Sequence, residues 1–392
     1  MPAPATGLTA SARAVLSYTA RLGQMTRPEV AEALSLSKPT VSAAVSDLED
    51  AGLLTLSHTT RGATGRSASV YRLAPTSGYV LGVDAGVTRV RLAAARLDGT
   101  VFWERDHARR GASRSNLGSL TQSVVNHVSS ATGVLGEDAG ALRAVAVAVP
   151  HSVVRTLEHE SVPAEGTPGD VDVALMRTAL RAGPVPETVP LSIENNVNCA
   201  ALAELHEGCA RGRSHVVVLQ VGVGIGCGII ARGQLLTGAS GVAGEAAMLP
   251  FPWSPGATTE YEGLEHHLGS EGLMARVRAS WTGGDPPKDP SELFAAARRR
   301  DGTQARALVD EHAHEVGRLA QAVVALLDPG LIVLTGGVGA NEEMRAGVQT
   351  AVDELPWGTR VVCSDLGRNA TRIGATRLAV SSSLEELLRP GR

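Results

Sequence analysis

The segment over residues 26–54 constrains the fold of this chain most strongly, because it combines two helix patterns with a tight turn between them. Pro28 lies near the start of the first helix, where a missing N–H costs little. Ser37 is placed as an N-cap, and Pro39 follows in the first turn of a second helix over about 38–50. The apolar positions of that helix recur with helical spacing, at Val41, Val45 and Leu48. This order of elements predicts a helix-turn-helix.

The polar side chains of the second helix and of the hairpin after it are candidates for contacts with double-stranded DNA. Leu53–Leu56 and Ser69–Leu73 have the composition of paired strands, and the segment between them is cationic and has the composition expected of a flexible loop. This hairpin predicts a wing that reaches phosphates or the minor groove. Helix-turn-helix shapes also occur in proteins that do not bind DNA, but turn, cap, recognition helix and wing occur here in the order of a winged-helix DNA reader. The predicted DNA-binding residues are Ser37, Lys38, Pro39, Thr40, Ser42, Arg61 and Arg66.

Charge separates residues 1–75 from the rest of the chain. The net charge is −4, yet residues 1–75 contain seven Lys and Arg against five Asp and Glu. Because the remainder is acidic, we assign DNA affinity to a winged-helix domain over residues 1–75. Aromatic residues make up 3% of the chain, which argues against a protein that binds single strands by base stacking. A length of 392 residues indicates two or three domains.

The sequence shows no sign of an oxidising compartment or of a membrane. The four cysteines are widely scattered and form neither a disulfide framework nor a C-x-x-C metal site. The N-terminus lacks the apolar core of a signal peptide. The most apolar run, Val216–Ile230, is interrupted by Gln220 and four glycines, which indicates buried sheet rather than a membrane span. We therefore expect a cytoplasmic protein with no membrane partner.

After the winged-helix pattern, strands and helices alternate. A strand, a glycine turn and two further strands follow one another twice, starting at Val80 and again at Val216. Such a repeat predicts a duplicated, two-lobed α/β fold with a cleft. We assign residues 79–195 to the first lobe and residues 196–370 to a second lobe for effector binding and oligomerisation, and we expect a helix over about 371–388 to return to the first lobe.

Three glycine turns follow buried strands and would place bare backbone N–H groups around that cleft, where such groups suit phosphates. Any single turn is weak evidence, because glycine turns are ordinary strand connectors. The residues of these candidate phosphate loops are Asp84, Gly86, Thr88, Gly222, Gly224, Gly336 and Gly337.

Five motifs of this chain resemble the ROK family, which groups sugar kinases with sugar-responsive transcriptional repressors. They are Leu81–Thr88, Glu194–Glu204, Gly222–Gly228, Gly241–Glu245 and the stretch from Asp328-Pro329 to Gly336-Gly337. The resemblance implies an actin-like, hexokinase-like fold for the two α/β lobes. The N-terminal winged helix places the chain with the repressor branch of that family.

Two departures from the family pattern argue against phosphoryl transfer. Family kinases carry a Glu-Asn-Asp motif whose Asp takes the proton from the sugar hydroxyl, and that position is Asn196 here. An amide cannot act as a general base, so phosphoryl transfer should be lower by about 10²–10⁴. The first phosphate turn has Val87 where family kinases usually have a second glycine, which restricts the backbone. We therefore expect vestigial phosphate loops, no catalytic residues and no ATP cofactor.

The structural zinc site of the family is also missing from the sequence. Family members usually supply one His and three Cys to that zinc. Here Met248 stands in the place of the His, and Pro250–Gly263 contains no cysteine. We therefore expect neither a metal nor any other cofactor.

The resemblance also implies a pocket for sugar hydroxyls. By that resemblance, the ligand-binding residues are Asn195, Asn196, Glu245 and Glu265, whereas Met248 replaces a His contact. Amides and carboxylates suit hydroxyl-rich ligands, because each can bond two hydroxyls. The alternative interpretation is that the asparagines cap a helix that starts near Val197.

Together these features predict a transcriptional regulator, a repressor in our interpretation, that binds a two-fold DNA operator as a homodimer or homotetramer. A sugar or sugar derivative bound between the lobes would change operator binding. Two alternatives stay open on the sequence. One is an ATP-dependent sugar kinase with an attached DNA reader, and the other is a constitutive DNA-binding protein whose cleft no longer binds a ligand.

Overall fold

The computed structural model describes residues 8–390 with gaps at 62–66, 110–116, 137, 151–152, 154–172, 253 and 255. The chain forms two compact units. The first comprises Met1–Val149, Asp172–Ile193 and Ala375–Arg392, and the largest continuous part of the second is Glu194–Gly374. None of the described helices is long and apolar enough to cross a membrane.

The N-terminal part of the first unit is a winged-helix domain. Its elements are α1 (Ala10–Leu22), β1 (Gln24–Thr26), α2 (Arg27–Ala33), α3 (Lys38–Asp50), β2 (Leu54–Arg61) and β3 (Ser67–Leu73). Strand β3 lies between β1 and β2 and pairs antiparallel with both. The predicted helix-turn-helix is therefore confirmed. No sequence pattern indicates the three-residue strand β1, because it is too short to show alternation.

Local capping sets the start of both helices of the helix-turn-helix. The Thr26 hydroxyl accepts a hydrogen bond from the Glu29 N–H at 3.4 Å, and the Glu29 carboxylate accepts one from the Thr26 N–H at 2.7 Å. This capping box begins α2. The Ser37 hydroxyl accepts from the Thr40 N–H at 3.2 Å and so caps α3. The buried face of α3 consists of Val41, Ala44, Val45 and Leu48, which includes the three apolar positions predicted from the spacing.

The rest of the first unit is an α/β lobe built on a five-stranded sheet. Its elements are β4 (Tyr79–Ala85), β5 (Arg89–Arg96), β6 (Val101–Ala108), α4 (Leu117–Leu135), β7 (Leu142–Val149), α5 (Val173–Arg181) and β8 (Leu191–Asn195). The strand order is β6-β5-β4-β7-β8. Strands β4, β5 and β6 form the predicted antiparallel meander, and β7 runs parallel to β4.

The second unit repeats this arrangement with its own five-stranded sheet. Its elements are α6 (Asn196–His206), β9 (Val216–Val221), β10 (Ile225–Ala231), β11 (Gln234–Leu235), α7 (Gly263–Leu268), α8 (Ser270–Ser280), α9 (Pro290–Ala297), α10 (Thr303–Leu327), β12 (Leu331–Thr335), α11 (Gly336–Gly339), α12 (Glu342–Val352) and β13 (Arg360–Cys363); α13 (Ala370–Leu388) then starts here and continues in the first unit. The strand order β11-β10-β9-β12-β13 matches that of the first sheet position by position. The duplication expected from the repeated pattern is therefore present in the topology.

One predicted glycine loop is shorter in the structure. The glycines of Gly222–Gly228 predict a loop over this whole stretch, but β10 begins at Ile225, so the turn contains only Gly222, Val223 and Gly224. Gly228 instead lets α6 approach the sheet, because an added Cβ would lie 2.5 Å from the Val197 carbonyl oxygen. Glycines selected for close packing thus resemble a phosphate loop in the sequence.

The segment Ala74–Tyr79 links the winged-helix domain to β4, and it is held on both sides. The Ala74 N–H donates to the Leu53 carbonyl and the Tyr79 N–H donates to the Ala141 carbonyl, both at 2.9 Å. The Arg143 guanidinium donates to the Ser77 carbonyl at 2.8 Å. One buried cluster also contains apolar residues from both sides of the linker, among them Leu16, Leu54, Val80 and Ala144. The linker is therefore a packed connection.

Replacing Gly78 in this linker should destabilise the first unit. Gly78 has φ +113°, and an added Cβ would overlap the Ala141 carbonyl oxygen. We expect Gly78→Ala to lower the free energy of unfolding by about 2–4 kcal/mol. The matched control is Gly52→Ala, because Gly52 has φ +66° but open space around it, so the loss should be about 1 kcal/mol. Urea denaturation measures both, and equal losses would contradict the tight packing of the linker.

Candidate functional site

The exposed surface of α3 is formed mainly by short side chains. Lys38, Pro39 and Ser42 are exposed, whereas Thr40 is half-buried. The Ser37 and Thr40 hydroxyls lie 2.7 Å apart beside the helix cap. Short side chains let a recognition helix lie close to the base edges of the major groove. All five predicted residues of this region thus lie at the N-terminal end of one helix.

Charge is distributed unevenly along α3. Lys38 is in the first turn, whereas Asp47, Glu49 and Asp50 lie near the end of the helix. The helix dipole adds partial positive charge at the N-terminus and partial negative charge at the C-terminus. The N-terminal end therefore attracts phosphates, and the acidic end is repelled by them. This asymmetry favours an approach to DNA with the N-terminus of α3 leading.

The two cationic residues predicted for the wing fall where the structure is not described. Arg66 lies outside the described residues, and so does the side chain of Arg61, whose backbone ends β2. Another basic residue of the domain, Arg27, lies 3.7 Å from the Glu49 carboxylate and 5.0 Å from the centre of the Tyr71 ring. Its charge is thus engaged within the domain. Contacts from the wing to DNA stay a prediction.

In the second unit, Asn195 combines the two roles considered for it. Its side-chain oxygen accepts from the Val197 N–H at 2.8 Å and caps α6. Its side-chain nitrogen donates to the Glu245 carboxylate at 3.5 Å. The neighbouring Glu194 is buried and accepts from the Asn195 N–H at 2.8 Å and from the Asn198 amide at 3.0 Å. The alternative of a capped helix therefore holds for Asn195, while its other end still faces a carboxylate.

Two bonds connect the start of β10 to Glu265 and to the residue before Glu245. Glu265 accepts from the Ile225 N–H at 3.0 Å. Gly244, which precedes Glu245, accepts from the Cys227 N–H at 2.8 Å. Burial, together with the charge of Glu245, raises the pKa of the Cys227 thiol to about 12, so this thiol stays protonated. Asn195 thus contacts Glu245, whose charge acts on the buried neutral thiol of Cys227, and Glu265 of α7 bonds to β10 two residues before that thiol.

Asn196 is the first residue of α6 and is half-buried. Its carbonyl oxygen accepts from the Thr371 hydroxyl at 3.5 Å. The side chain carries an amide at the position where a general base would be required, and it offers both a donor and an acceptor to a ligand hydroxyl. This position can therefore bind a hydroxyl but cannot deprotonate it.

In the first unit, the carboxylate of Asp84, near the end of β4, pairs with an arginine of the neighbouring strand. The Arg91 guanidinium lies 2.9 Å from the Asp84 carboxylate, and the side chains are 19% and 10% exposed, respectively. Partly buried pairs of this kind are screened less than exposed ones. Sequence reasoning missed Arg91, although the antiparallel register of β4 and β5, which places Asp84 opposite Arg91, follows from the meander.

The turn after Asp84 is fixed by a second arginine. The Arg109 guanidinium donates to the carbonyl oxygens of Gly86 and Val87, and the Arg109 N–H donates to the Thr88 carbonyl at 2.8 Å. Arg109 follows β6 and reaches this turn only because β6, β5 and β4 pair in one sheet. No local pattern in the sequence therefore indicates the contact. Arg109 thus holds the turn of the first candidate phosphate loop in place through hydrogen bonds to its carbonyl oxygens.

The other two glycine turns meet in the second unit. Strands β9 and β12 are parallel neighbours, so their carboxyl ends place Gly222 beside Gly336-Gly337. A Cβ on Gly222 would lie 3.4 Å from the Gly337 nitrogen, and a Cβ on Gly336, at φ +88°, would overlap the Val221 carbonyl oxygen. Gly224 closes the first of these turns by accepting from the Gly222 N–H at 3.0 Å. Close packing and a positive φ therefore account for Gly336, whereas an added Cβ on Gly337 would meet open space.

The residues present do not fit the zinc site that the family resemblance implies. Met248 is 42% exposed on the turn after Glu245, and a thioether is not a ligand of structural zinc sites. The described parts of the chain contain no group of three or more His, Cys, Asp and Glu side chains that could hold a metal ion.

Comparison with known proteins gives two family matches. The sequence model of the ROK family matches residues 80–382, and that of the MarR family matches residues 6–63. The protein named Putative xylose repressor from Caldicellulosiruptor sp. is 22% identical over 384 residues, which is 92% of each chain. The Bifunctional enzyme NanE/NanK of Brucella melitensis biotype 1 is 30% identical over 194 residues, which is 49% of this chain and 36% of the length of that enzyme.

One solved structure resembles nearly the whole chain. It is described as a ROK family transcriptional regulator, homolog of the E. coli MLC protein. It superposes with a TM-score of 0.72 at 18% identity and covers 97% of this chain and 98% of that chain. The likeness shows a winged-helix domain followed by a two-lobed α/β fold of the hexokinase type, as the sequence predicts.

Substitution of Asn195 should separate its two roles. We expect Asn195→Ala to lower the free energy of unfolding by about 1 kcal/mol, because the cap of α6 is lost. Asn195→Ser should retain most of that stability, because a serine hydroxyl also caps a helix, although it lacks the amide nitrogen that faces Glu245. Thermal or urea unfolding of the two variants provides the measurement. If the serine variant were as unstable as the alanine variant, capping would not be the structural role of Asn195.

Proposed function

The chain belongs to the ROK family and carries a MarR-type winged-helix domain, and on this basis we propose that it is a transcriptional repressor whose operator affinity is controlled by a sugar or sugar derivative. The observation that carries the proposal is the packed linker Ala74–Tyr79 between that domain and the ROK fold. A DNA-binding domain fixed in this way follows any rearrangement of the lobe to which it is attached.

Operator binding in this proposal requires more than one copy of the chain. A single winged helix reads one half-site and buries too little surface for tight, specific binding. We therefore propose a homodimer or homotetramer on a two-fold-symmetric operator. The match to the Putative xylose repressor over 92% of both chains supports the repressor role, because it includes the winged-helix region.

A sugar kinase with an attached DNA reader is the rival function, and the match to the Brucella enzyme favours it. That match covers half of this chain, however, and two features of the described residues oppose phosphoryl transfer. Asn196 provides no general base. Asp84 is paired with Arg91, so its charge is already compensated. We infer a site that binds hydroxyl-rich ligands without phosphorylating them.

Inside the second unit, α6 connects the candidate ligand residues to α13. Asn195 caps α6, and Thr371 of α13 donates to the Asn196 carbonyl at 3.5 Å. Gly374 of α13 lies so close to α6 that an added Cβ would overlap the Cys199 carbonyl oxygen. Close-packed elements of this kind cannot move independently. A ligand that displaces the start of α6 would therefore also displace the start of α13.

Inside the first unit, α13 continues to the winged-helix domain. Gly82 of β4 lies against it, because an added Cβ would overlap the Thr376 hydroxyl. Further along the helix, Ala379, Val380 and Leu387 belong to the same buried cluster as apolar residues of α1, α3 and β3. We propose that α13 transmits ligand binding to the DNA-binding domain. For this, the ligand must favour one arrangement by about 1–3 kcal/mol.

The DNA-binding surface can be tested with the two lysines of this chain, Lys38 and Lys288. We expect Lys38→Ala to weaken specific operator binding by about 1–3 kcal/mol, because Lys38 is exposed at the leading end of α3. Lys288→Ala removes the same charge from an exposed site in the second unit and should leave binding unchanged. Fluorescence anisotropy on DNA from upstream of the gene, against scrambled DNA at physiological salt, measures both. Equal affinity of the two variants would exclude Lys38 from the DNA-binding surface.

The ligand site can be tested by release from the same DNA. Sugars and sugar derivatives that release the unmodified protein should fail to release Glu245→Ala, because the carboxylate beside Asn195 is missing. Operator affinity without ligand should not change. Glu260→Ala, which removes an exposed carboxylate nearby in the sequence, is the matched control. If no sugar released the unmodified protein, the constitutive DNA-binding alternative would be favoured, and sugar-dependent consumption of ATP would favour the kinase.

A further inference from the structure

Large apolar side chains are exposed at the end of α10 in the second unit, away from the residues assigned above. Leu326 is 80% exposed, the highest value for a large apolar side chain among the described residues, and Leu327 beside it is 37% exposed. Trp357, in the loop between α12 and β13, is 48% exposed. Single exposed apolar residues are normal on a protein surface, but a contiguous group of them marks an interaction site.

Hydrogen bonds between two chain segments show that these side chains lie close together. The Gln321 amide of α10 donates to the Ala351 carbonyl of α12 at 2.6 Å. Further along both segments, the Arg360 N–H donates to the Gly330 carbonyl at 3.1 Å. The segments therefore run side by side between these two bonds, and the three exposed apolar residues lie within that stretch. They form one apolar group on the surface of the second unit.

Charges of both signs border this apolar group. Asp328, the C-cap of α10, and Arg360, the first residue of β13, are both exposed. Neither side chain has an ion-pair partner within the part of the chain that the structure describes. A surface with an apolar centre, one carboxylate and one guanidinium can be complementary to itself after a two-fold rotation, because each charge then meets the opposite charge of the other copy.

We propose that this surface, formed by Leu326, Leu327, Asp328, Trp357 and Arg360 and named the α10 surface, binds the same surface of a second copy of the chain. The proposal rests on the homodimer or homotetramer proposed above and identifies the contact that joins two copies. The apolar side chains become buried against their counterparts, and Arg360 pairs with Asp328 of the partner subunit. Trp357 suits the centre of such a contact, because tryptophan is enriched among the residues that dominate binding at interfaces.

Light scattering after size-exclusion chromatography tests the apolar centre on the full chain. Leu326→Asp places a charge in the contact and should raise the dissociation constant of the pair by about 30-fold, the effect of one hot-spot residue. Folding should be unaffected because Leu326 is exposed, and urea denaturation checks this. The matched control is Val134→Asp, at a 67% exposed position of the first unit, which should assemble as the unmodified protein does. A monomeric unmodified protein, or equal assembly of the two variants, would overturn the proposal.

Charge reversal tests the two-fold arrangement. Arg360→Glu places a carboxylate opposite Asp328 of the partner subunit, and Asp328→Lys places an ammonium opposite Arg360 of the partner subunit. Each variant alone should therefore assemble weakly. An equal mixture of the two should restore assembly, because every carboxylate at the contact between unlike copies then faces a cation. A mixture that assembles no better than either variant alone would contradict the pairing.

The anisotropy assay on DNA from upstream of the gene keeps this test separate from the proposed function. If Leu326→Asp assembled fully while the unmodified protein bound that DNA specifically, the α10 surface would be excluded and the proposed function would stand. If assembly fell as expected but the unmodified protein had no specific DNA affinity, the α10 surface would stand and the proposed function would fail.

Discussion

The close approach of α13 to its neighbours is the constraint on which the rest of the structure depends. Gly82 of β4 and Gly374 of α13 itself are the positions where a Cβ would overlap the neighbouring element. Without side chains there, the helix packs on the sheet of the first unit and on α6 of the second. Helix α13 contributes its first residues to the second unit and the rest of its length to the first, so a tight approach is required of it in each unit separately.

The elements that the sequence predicted best are those whose signals are local. A cap at Ser37, a proline after it and three apolar residues with helical spacing are enough to give α3 its observed bounds. Strands β1 and β13, of three and four residues, are too short to carry a periodic signal. The glycines of β10 led to a wrong loop prediction for a different reason. A glycine required for close packing looks the same in the sequence as a glycine in a loop, and only the neighbouring element, here α6, distinguishes them.

At the candidate site, the sequence identified single residues and missed their partners. The sequence allows Asn195 to be either a helix cap or a ligand contact. In the structure its amide oxygen caps α6, while its amide nitrogen faces Glu245. Arg91 of β5 pairs with Asp84, and Arg109, which follows β6, bonds to the turn after Asp84, so only the sheet register reveals them. A turn secured by arginines has less freedom to close around a phosphate, whereas an asparagine in place of an aspartate preserves hydrogen bonding to hydroxyls. Both features fit the proposed role of binding a hydroxyl-rich ligand without phosphoryl transfer.

The packed linker has a consequence for how such proteins can be recombined. A winged-helix domain on a flexible tether could be exchanged for another by joining the chains at any point of the tether. Here the Ala74–Tyr79 segment fits Ala141, Arg143 and Gly140, where a Cβ would lie 3.2 Å from the Cα of Gly78. A chimera with a foreign DNA-binding domain must therefore keep the contacts between the linker and the loop around Ala141, or import the linker and that loop together. Otherwise the ligand of the two-lobed part would not control the new operator.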